Sequence, residues 1–356
     1  MTAGVFVAAG GFLWQSGSNG RELAGACGGM LAVDEVRAVL GQDKLDVSTE
    51  SGEGIDTCEV HGDGQGTVSV TIVDTTDVGD DRSRFLLPQV PDPSDHALPV
   101  PIGHGWSGLF GADATDDGEG TTTLLLTCGA DATGGSAAQD DSGASNVKGL
   151  AVTVESDLVA TTVDNPANRP DFVRVATGTA AKAAKAHHCA TRLGRQVRTV
   201  GLPVTEEEFE PLTHTSGTCA GIRPNADVTT AQETARDGAA RETCLLGGDG
   251  LGEHRYALEA YYGAYAAELK AGVREERPDG DIPGETASGQ IDPKNGAYWG
   301  SAHCPAEGEQ GIFTLRRANN QLGPSTPKER IYMKAALRAF AERSARGHGC
   351  SAVATP

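Results

Sequence analysis

The amino-acid sequence predicts an α+β protein of two tandem duplicated domains, each an antiparallel β-sheet with helices packed on one face and two intradomain disulfides. Strand-like segments, helical segments and four cysteines recur in the same order in both halves of the 356-residue chain. This length suits two domains better than one. We expect residues 1–22 to precede the domains, the first domain to span residues 23–193 and the second to span residues 194–356.

Residues 1–22 contain a mostly apolar run of 13 residues, TAGVFVAAGGFLW, and then turn polar. A membrane-spanning helix needs about 20 apolar residues, and a signal peptide has a basic start that this run lacks. We interpret the run as the truncated remnant of a membrane anchor or signal, with a loose N-terminal strand as the alternative. A lipobox ending at Cys27 is disfavoured because polar residues separate it from the apolar run.

Each half opens with two cysteines that flank a short segment. In the first half, CGGMLAVDEVRAVLG starts at Cys27 and DTCEV contains Cys58. In the second half, CAGIRPNADVTTAQETA starts at Cys219 and ETCLL contains Cys244. The part AVDEVRAVLG of the first segment predicts a short helix that precedes a strand.

Strand-like segments follow in each half. TVSVTIVD (residues 67–74) alternates apolar and polar residues, and HRYALEAYYGAY (residues 254–265) is its counterpart. The next segments, TTTLLLTC and GAYWGSAHC, end at Cys128 and Cys304 and precede GLAVTVESD and GIFTLRRA. Residues 131–146 between the strands of the first half are rich in Gly, Ser and Asp, which predicts a mobile loop.

Each half closes with a helix that runs into a histidine and a cysteine. The first helix, FVRVATGTAAKAAKAHHC, ends at Cys189, and the second, RIYMKAALRAFAERSARGHGC, ends at Cys350. Before the second helix, Thr326 predicts an N-cap that forms a capping box with Glu329. The apolar face of this helix is predicted to consist of Met333, Leu337, Phe340 and Ala341.

The eight cysteines predict disulfides, because they are even in number and widely spaced and no C-x-x-C motif occurs. If the halves are copies, each half closes its own two bonds. The predicted pairs are Cys27–Cys58, Cys128–Cys189, Cys219–Cys244 and Cys304–Cys350. In the chain-entropy model each bond stabilises the fold by about 3–4 kcal/mol.

The net charge of −20, from 49 acidic and 29 basic residues, excludes some classes of partner. Sequence-independent nucleic-acid binding and docking on anionic lipid both need a basic surface, so we expect neither. The charge favours solubility and a solvated acidic surface, and cationic partners are the alternative.

The segment from Cys27 to Asp74 resembles small secreted modules of actinobacterial lipoproteins and membrane-anchored sensor-like proteins of unknown function. The resemblance is carried by an opening cysteine, a short helix and a second cysteine before an alternating strand. The matching positions are Cys27, Leu31, Glu35, Val36, Leu40, Gly41 and Cys58. It implies an extracytoplasmic α+β fold and no catalytic residues. The second half departs from the pattern at Ile222 and Arg223.

Three glycine-containing segments resemble motifs that carry chemistry. GHGWSGLFG, residues 103–111, supports a serine hydrolase using Ser107 with His104 as an alternative, but its second glycine comes one position early for a nucleophile elbow. A tight turn with a buried Trp106 is the main interpretation. DATDDGEG, residues 113–120, lacks the closing glutamate of a calcium loop, and GGDGLGEH lacks the spacing of a phosphate-binding loop. We therefore expect no cofactor.

Histidines directly precede two of the cysteines. His187 and His188 precede Cys189, and His303 precedes Cys304, so reduced thiols would allow a cytoplasmic zinc-binding protein as a second alternative. Favourable charge at a helix C-terminus is the simpler reason for these histidines. We expect no metal site.

One aromatic concentration distinguishes the second half. Tyr261, Tyr262 and Trp299 are candidate ligand-binding residues, because amphipathic aromatic side chains suit binding surfaces. A role in the core is the competing interpretation. Together the observations favour a non-enzymatic, membrane-anchored or secreted extracytoplasmic protein that binds a small ligand or an envelope protein and meets the membrane only through its N-terminal segment.

Overall fold

The protein is described by a computed structural model. The described residues are 20–41, 44–52, 54–74, 98–112, 118–129, 149–204, 209–234, 239–248, 254–276, 281–292, 296–305, 309–318 and 324–356. The predictions for the apolar run in residues 1–19, for the loop 131–146 and for residues 113–117 of the acidic segment lie outside the described residues. No helix within the described ranges is long and apolar enough to cross a bilayer.

The first half forms a seven-stranded antiparallel sheet in the order β1-β2-β3-β7-β6-β5-β4. Its strands are β1 (Leu45–Gly52), β2 (Ile55–Gly62), β3 (Gly66–Asp74), β4 (Val100–Pro101), β5 (Gly108–Ala112), β6 (Glu119–Thr127) and β7 (Gly149–Leu158). Strands β1 to β3 form a meander, and β7 returns to pair with β3 at the centre of the sheet.

The second half forms another seven-stranded antiparallel sheet in the order β12-β13-β14-β11-β10-β9-β8. Its strands are β8 (Glu210–Pro211), β9 (Thr230–Glu233), β10 (Arg241–Gly247), β11 (His254–Tyr262), β12 (Ser288–Asp292), β13 (Ala297–Cys304) and β14 (Glu309–Arg317). The last strand, β14, again returns to the centre and pairs with β11.

Besides a short 3₁₀ helix at Ala26–Gly29, four longer helices with described bounds accompany the sheets. They are α1 (Val33–Leu40), α2 (Arg169–Ala186), α3 (Gly263–Glu276) and α4 (Pro327–Gly347). Helices α1 and α2 pack against the first sheet, where Val68, Val70 and Ile72 of β3 point towards them. Since side chains alternate along a strand, every second residue of β3 reaches this core.

Helix α4 covers one face of the second sheet with the predicted apolar residues, and Met333, Leu337, Phe340 and Ala341 are all fully buried. Its N-terminus has the predicted capping box. The Thr326 hydroxyl accepts the Glu329 backbone N–H, and the Glu329 carboxylate accepts the Thr326 backbone N–H. Two backbone donors that the helix leaves open are thereby satisfied.

The opposite faces of the two sheets share a buried apolar cluster. Its members are Val73, Leu109, Leu125 and Ala151 of the first sheet, Tyr261 and Ile312 of the second sheet, and Tyr265 and Ala266 of α3. The Tyr265 hydroxyl also donates to the carbonyl of Thr123 at 3.3 Å. Helix α3 therefore lies on the other face of the second sheet from α4, whereas the sequence predicts helices on one face.

Helix α3 also replaces the end of a predicted strand. The alternating pattern extends to Tyr265, but β11 ends at Tyr262 and the helix begins at Gly263. Gly263 has φ 54°, in the left-handed region that glycine adopts without steric cost. The chain turns there before the aromatic pattern ends, and periodicity alone does not reveal this turn.

Candidate functional site

All eight cysteines are paired in four disulfides, and the pairs are the predicted ones: Cys27–Cys58, Cys128–Cys189, Cys219–Cys244 and Cys304–Cys350. Four disulfides indicate an oxidising, extracytoplasmic environment. They argue against the cytoplasmic zinc alternative, because a zinc site needs thiolates that these bonds consume. Within the described ranges, no group of three or more His, Cys, Asp or Glu side chains is arranged to hold a metal ion.

The histidine two residues before the last cysteine of each half contacts the sheet. In the first half, Nδ1 of His187 lies 3.4 Å from a carboxylate oxygen of Asp74, the last residue of β3. In the second half, the ring of His348 stacks on Tyr262, the last residue of β11, at a centroid distance of 3.6 Å. In both halves this histidine ends the helix, where its side chain reaches back to a central strand.

His348 belongs to a buried polar network in the second half. Its Nε2 lies 3.1 Å from Oε1 of Glu242 on β10, and the Ser344 hydroxyl donates to Oε2 of the same carboxylate at 2.6 Å. The hydroxyl groups of Tyr262 and Ser344 are 2.5 Å apart. These contacts join the last turn of α4 to two strands beneath it.

The network contains serine, histidine and glutamate, but its arrangement does not suit nucleophilic catalysis. In a catalytic triad the histidine lies between the serine and the acid, whereas here Glu242 lies between Ser344 and His348. All three residues are at most 6% exposed, so no substrate reaches the hydroxyl. The geometry supports a structural role, in which the carboxylate fastens the end of α4.

A second buried charged group lies on β10 and β11. The Arg241 guanidinium is 2.6 Å from Oε1 of Glu259, and Arg316 lies 3.7 Å from the other oxygen. Burial, the largest influence, would raise the pKa of Glu259, but Arg241 and Arg316 lower it below its usual value. Arg241 also lies over the ring of Tyr261.

The candidate aromatic residues do not share a surface. Tyr261 and Tyr262 are adjacent on β11 and point to opposite faces, towards the shared inter-sheet cluster and towards α4 respectively. Trp299 of β13 is fully buried, with its ring against Gly289. All three candidate side chains are at most 5% exposed, which favours the competing interpretation that they contribute to packing.

The segment GHGWSG holds the chain that connects the two halves. His104 accepts the backbone N–H of Arg195 at its carbonyl and that of Arg198 at Nε2, with distances of 2.9 and 3.2 Å. Trp106 Nε1 donates to the carbonyl of Arg195 at 2.8 Å, and a Cβ placed on Gly194 would lie 2.3 Å from the indole. Nε2 of His104 therefore faces this connector, residues 194–200. The hydrolase alternative, which uses Ser107 with His104, stays a prediction.

An open groove of about 460 Å³ runs along the outer face of α4. Its lining combines the turn after Cys219 with one side of the helix: Gly221, Arg223, Ile331, Lys334, Ala335, Arg338, Ala339 and Glu342. Ile331 is 73% exposed, which is unusual for a large apolar side chain. Three cationic side chains and one carboxylate flank this small apolar stripe. Neither the groove nor its lining was predicted from the sequence.

The comparisons with known proteins are negative. No protein-family model matches the chain, and neither the curated proteins nor the solved structures include a significant match.

Proposed function

We propose that the chain is a non-enzymatic extracytoplasmic binding protein that arose by tandem duplication, and that its second repeat presents the partner-binding surface along α4. The observation that carries this proposal is that Ile331, Lys334 and Arg338 on the outer face of α4 correspond to buried positions of α2 in the first half.

The strand registers support the duplication. Residues that lie side by side across five adjacent strands of the first sheet are Phe110, Thr122, Val154, Val70 and Cys58. The corresponding row in the second sheet is Gln290, Tyr298, Leu315, Leu258 and Cys244. A cysteine thus ends the same row in both sheets.

The spacings to the remaining cysteines agree as well. Cys128 follows Thr122 by 6 residues, as Cys304 follows Tyr298. Cys189 follows Val154 by 35 residues, as Cys350 follows Leu315. Helices α2 and α4 lie within these 35-residue stretches, so each residue of α4 corresponds to the residue 161 positions earlier, and residues 330–347 correspond to α2 itself.

This alignment pairs exposed positions with covered ones. Ile331 corresponds to the buried Pro170, Lys334 to the fully buried Val173, and the exposed Arg338 to Thr177, which is 6% exposed. A helix face that folding covers in one repeat and leaves open in the other is available for a partner. The resemblance of residues 27–74 to secreted modules and the four disulfides favour a partner in the cell envelope.

Site-specific photo-crosslinking tests this function. A crosslinking amino acid at Ile331 is compared with one at Val159, which is equally exposed at 74% but lies at the end of the first sheet. We expect a discrete envelope adduct from position 331 and none from position 159. No adduct, or the same adducts from both positions, contradicts the proposal. Labelling of Ser107 by a serine-reactive probe, lost in Ser107→Ala, would instead favour the hydrolase alternative.

A further inference from the structure

In the first half, helix α1 covers the part of the corresponding face that includes Arg174 and Gly178. Helix α1 lies across α2, and the Cβ of Ala32 is only 2.8 Å from a Cβ placed on Gly178. The Ala32 backbone N–H donates to Thr179 Oγ1 at 3.1 Å, and Lys182 donates to the carbonyl of Leu31 at 2.7 Å. A short helix thus fills this position in the first repeat.

An ion pair adds to this contact. Arg174 of α2 lies 3.0 Å from the carboxylate of Glu35 in the first turn of α1. The side chain of Arg174 is only 20% exposed and that of Glu35 is 32% exposed, so the pair is partly desolvated. The covering segment therefore offers the small residue Ala32 to the face of α2 and the carboxylate of Glu35 to Arg174.

The second half has no room for such a helix. The chain covers 18 residues from Cys27 to the start of β1 but only 11 residues from Cys219 to the start of β9. Pro224 and Asn225 then turn the chain, and Asn225 Oδ1 accepts the backbone N–H groups of Asp227 and Val228. Counted from the opening cysteine, this turn falls at the position where α1 begins in the first half.

Like the face of α2 that α1 contacts, the uncovered face of α4 combines small residues with nearby cationic side chains. Ala335 and Ala339 correspond to Arg174 and Gly178, so a partner backbone can approach closely, and Ile331 offers apolar contact. Three cationic residues, Arg223, Lys334 and Arg338, line the groove together with the single carboxylate of Glu342. Helix α4 as a whole contains six basic and two acidic residues in a chain of net charge −20.

We infer that this groove binds an acidic amphipathic helix of a partner protein, in the place that α1 occupies in the first repeat. This inference rests on the proposed binding function. The partner helix would lay an apolar stripe with small residues along Ile331, Ala335 and Ala339, with its Asp or Glu side chains towards Lys334 and Arg338. Complementary charge of this kind sets specificity and speeds association.

Three synthetic helices of about 16 residues, held helical by a hydrocarbon staple, test the inference on the full-length oxidised protein. They share an Ala/Leu stripe and differ only in their flanking residues, which are all Glu, all Gln or all Lys. We expect the Glu peptide to bind at least tenfold more tightly than the Lys peptide in fluorescence anisotropy. Equal binding of the two, or binding of neither, overturns the inference.

Two charge-reversal variants sharpen this test. Lys334→Glu with Arg338→Glu should invert the preference, so that the Lys peptide binds more tightly than the Glu peptide. Lys328→Glu is the matched control, because Lys328 is exposed on the same helix outside the groove, and it should leave both affinities unchanged. A preference that persists in the double variant overturns the inference. Circular dichroism establishes that each variant is folded.

Two further outcomes separate this inference from its alternatives. Binding of vesicles that contain phosphatidylglycerol, without binding of the Glu peptide, would assign the face to a lipid surface and overturn the helix partner. Failure of the peptides while the crosslink at Ile331 persists would leave the proposed binding function standing and reject only the chemistry of the partner. Failure of both would reject the proposed function itself.

Discussion

Nε2 of His348 lies 3.1 Å from Oε1 of Glu242, and both side chains are at most 3% exposed. The contact fastens the last turn of α4 to β10, close to the disulfide that joins Cys304 and Cys350. In the first half, His187 contacts Asp74, which occupies the position of Tyr262, the residue on which the ring of His348 stacks. The recurring ending of histidine and cysteine thus holds each closing helix to its sheet by a polar contact and a covalent bond.

Replacing Glu242 by Ala should destabilise the protein by about 3–5 kcal/mol, because the buried groups of Ser344 and His348 lose their shared partner. Urea unfolding of the oxidised protein measures this change. Asp56→Ala is the matched control, since Asp56 precedes Cys58 as Glu242 precedes Cys244 but is half-exposed. The control should cost less than about 1 kcal/mol. Similar costs for both variants would contradict a structural role for the buried network.

The ion pair of Glu259 and Arg241 predicts a loss of stability in acid. The pKa of Glu259 is lowered in the folded protein, so its ionised carboxylate contributes stability above the unfolded pKa of about 4.3. That contribution disappears as the pH falls through the lower, folded pKa. The difference in unfolding free energy between the natural protein and Glu259→Gln should be constant above about pH 5 and shrink below pH 4. A difference that grows in acid would contradict this assignment.

Removing the closing disulfide of either half should lower stability by a similar amount. The bonds Cys128–Cys189 and Cys304–Cys350 span 61 and 46 residues, and loop-closure entropy predicts a loss of about 4 kcal/mol for each. Double Cys→Ser variants of each pair, compared by urea unfolding, measure both effects. A loss confined to one pair would show that the two closing bonds do not have equivalent roles.

Trp106→Ala should release the connector between the halves. The substitution removes the hydrogen bond to Arg195 and the indole that packs on Gly194. A local cost of about 1–2 kcal/mol corresponds to a roughly 5–30-fold rise in cleavage by trypsin at Arg195 and Arg198. Trp106→Phe retains a ring without the N–H and should give an intermediate rate, whereas Ser107→Ala should leave cleavage unchanged. An unchanged rate for Trp106→Ala would mean that the loop does not hold the connector.

Several strands, the helix cap and the disulfide pairs can be predicted from the sequence because short-range patterns determine them. The alternation in TVSVTIVD and the capping box at Thr326 appear as predicted. The disulfide pairs follow from the order in which the cysteines recur. These features depend on neighbouring residues or on the order of the cysteines along the chain.

The remaining features depend on tertiary contacts. The alternation that predicts a strand to Tyr265 also places Tyr261 and Tyr262 on opposite faces, and this consequence argues against a shared aromatic surface. The contact of His348 with Glu242 could be sought only after the two helix endings were aligned on their cysteines. The groove on α4 arises because seven fewer residues follow Cys219 than follow Cys27 before the next strand, which no local motif encodes.

Peptide mapping under non-reducing conditions, with a free-thiol count, on protein purified from its native host tests the central claim most directly. The account predicts no free thiol and four crosslinked peptide pairs, two within residues 27–189 and two within residues 219–350. Such a result would establish that each half closes its own two disulfides and that the protein folds in an oxidising compartment. Free thiols, or a crosslink that joins the two halves, would contradict both the duplication and the extracytoplasmic location.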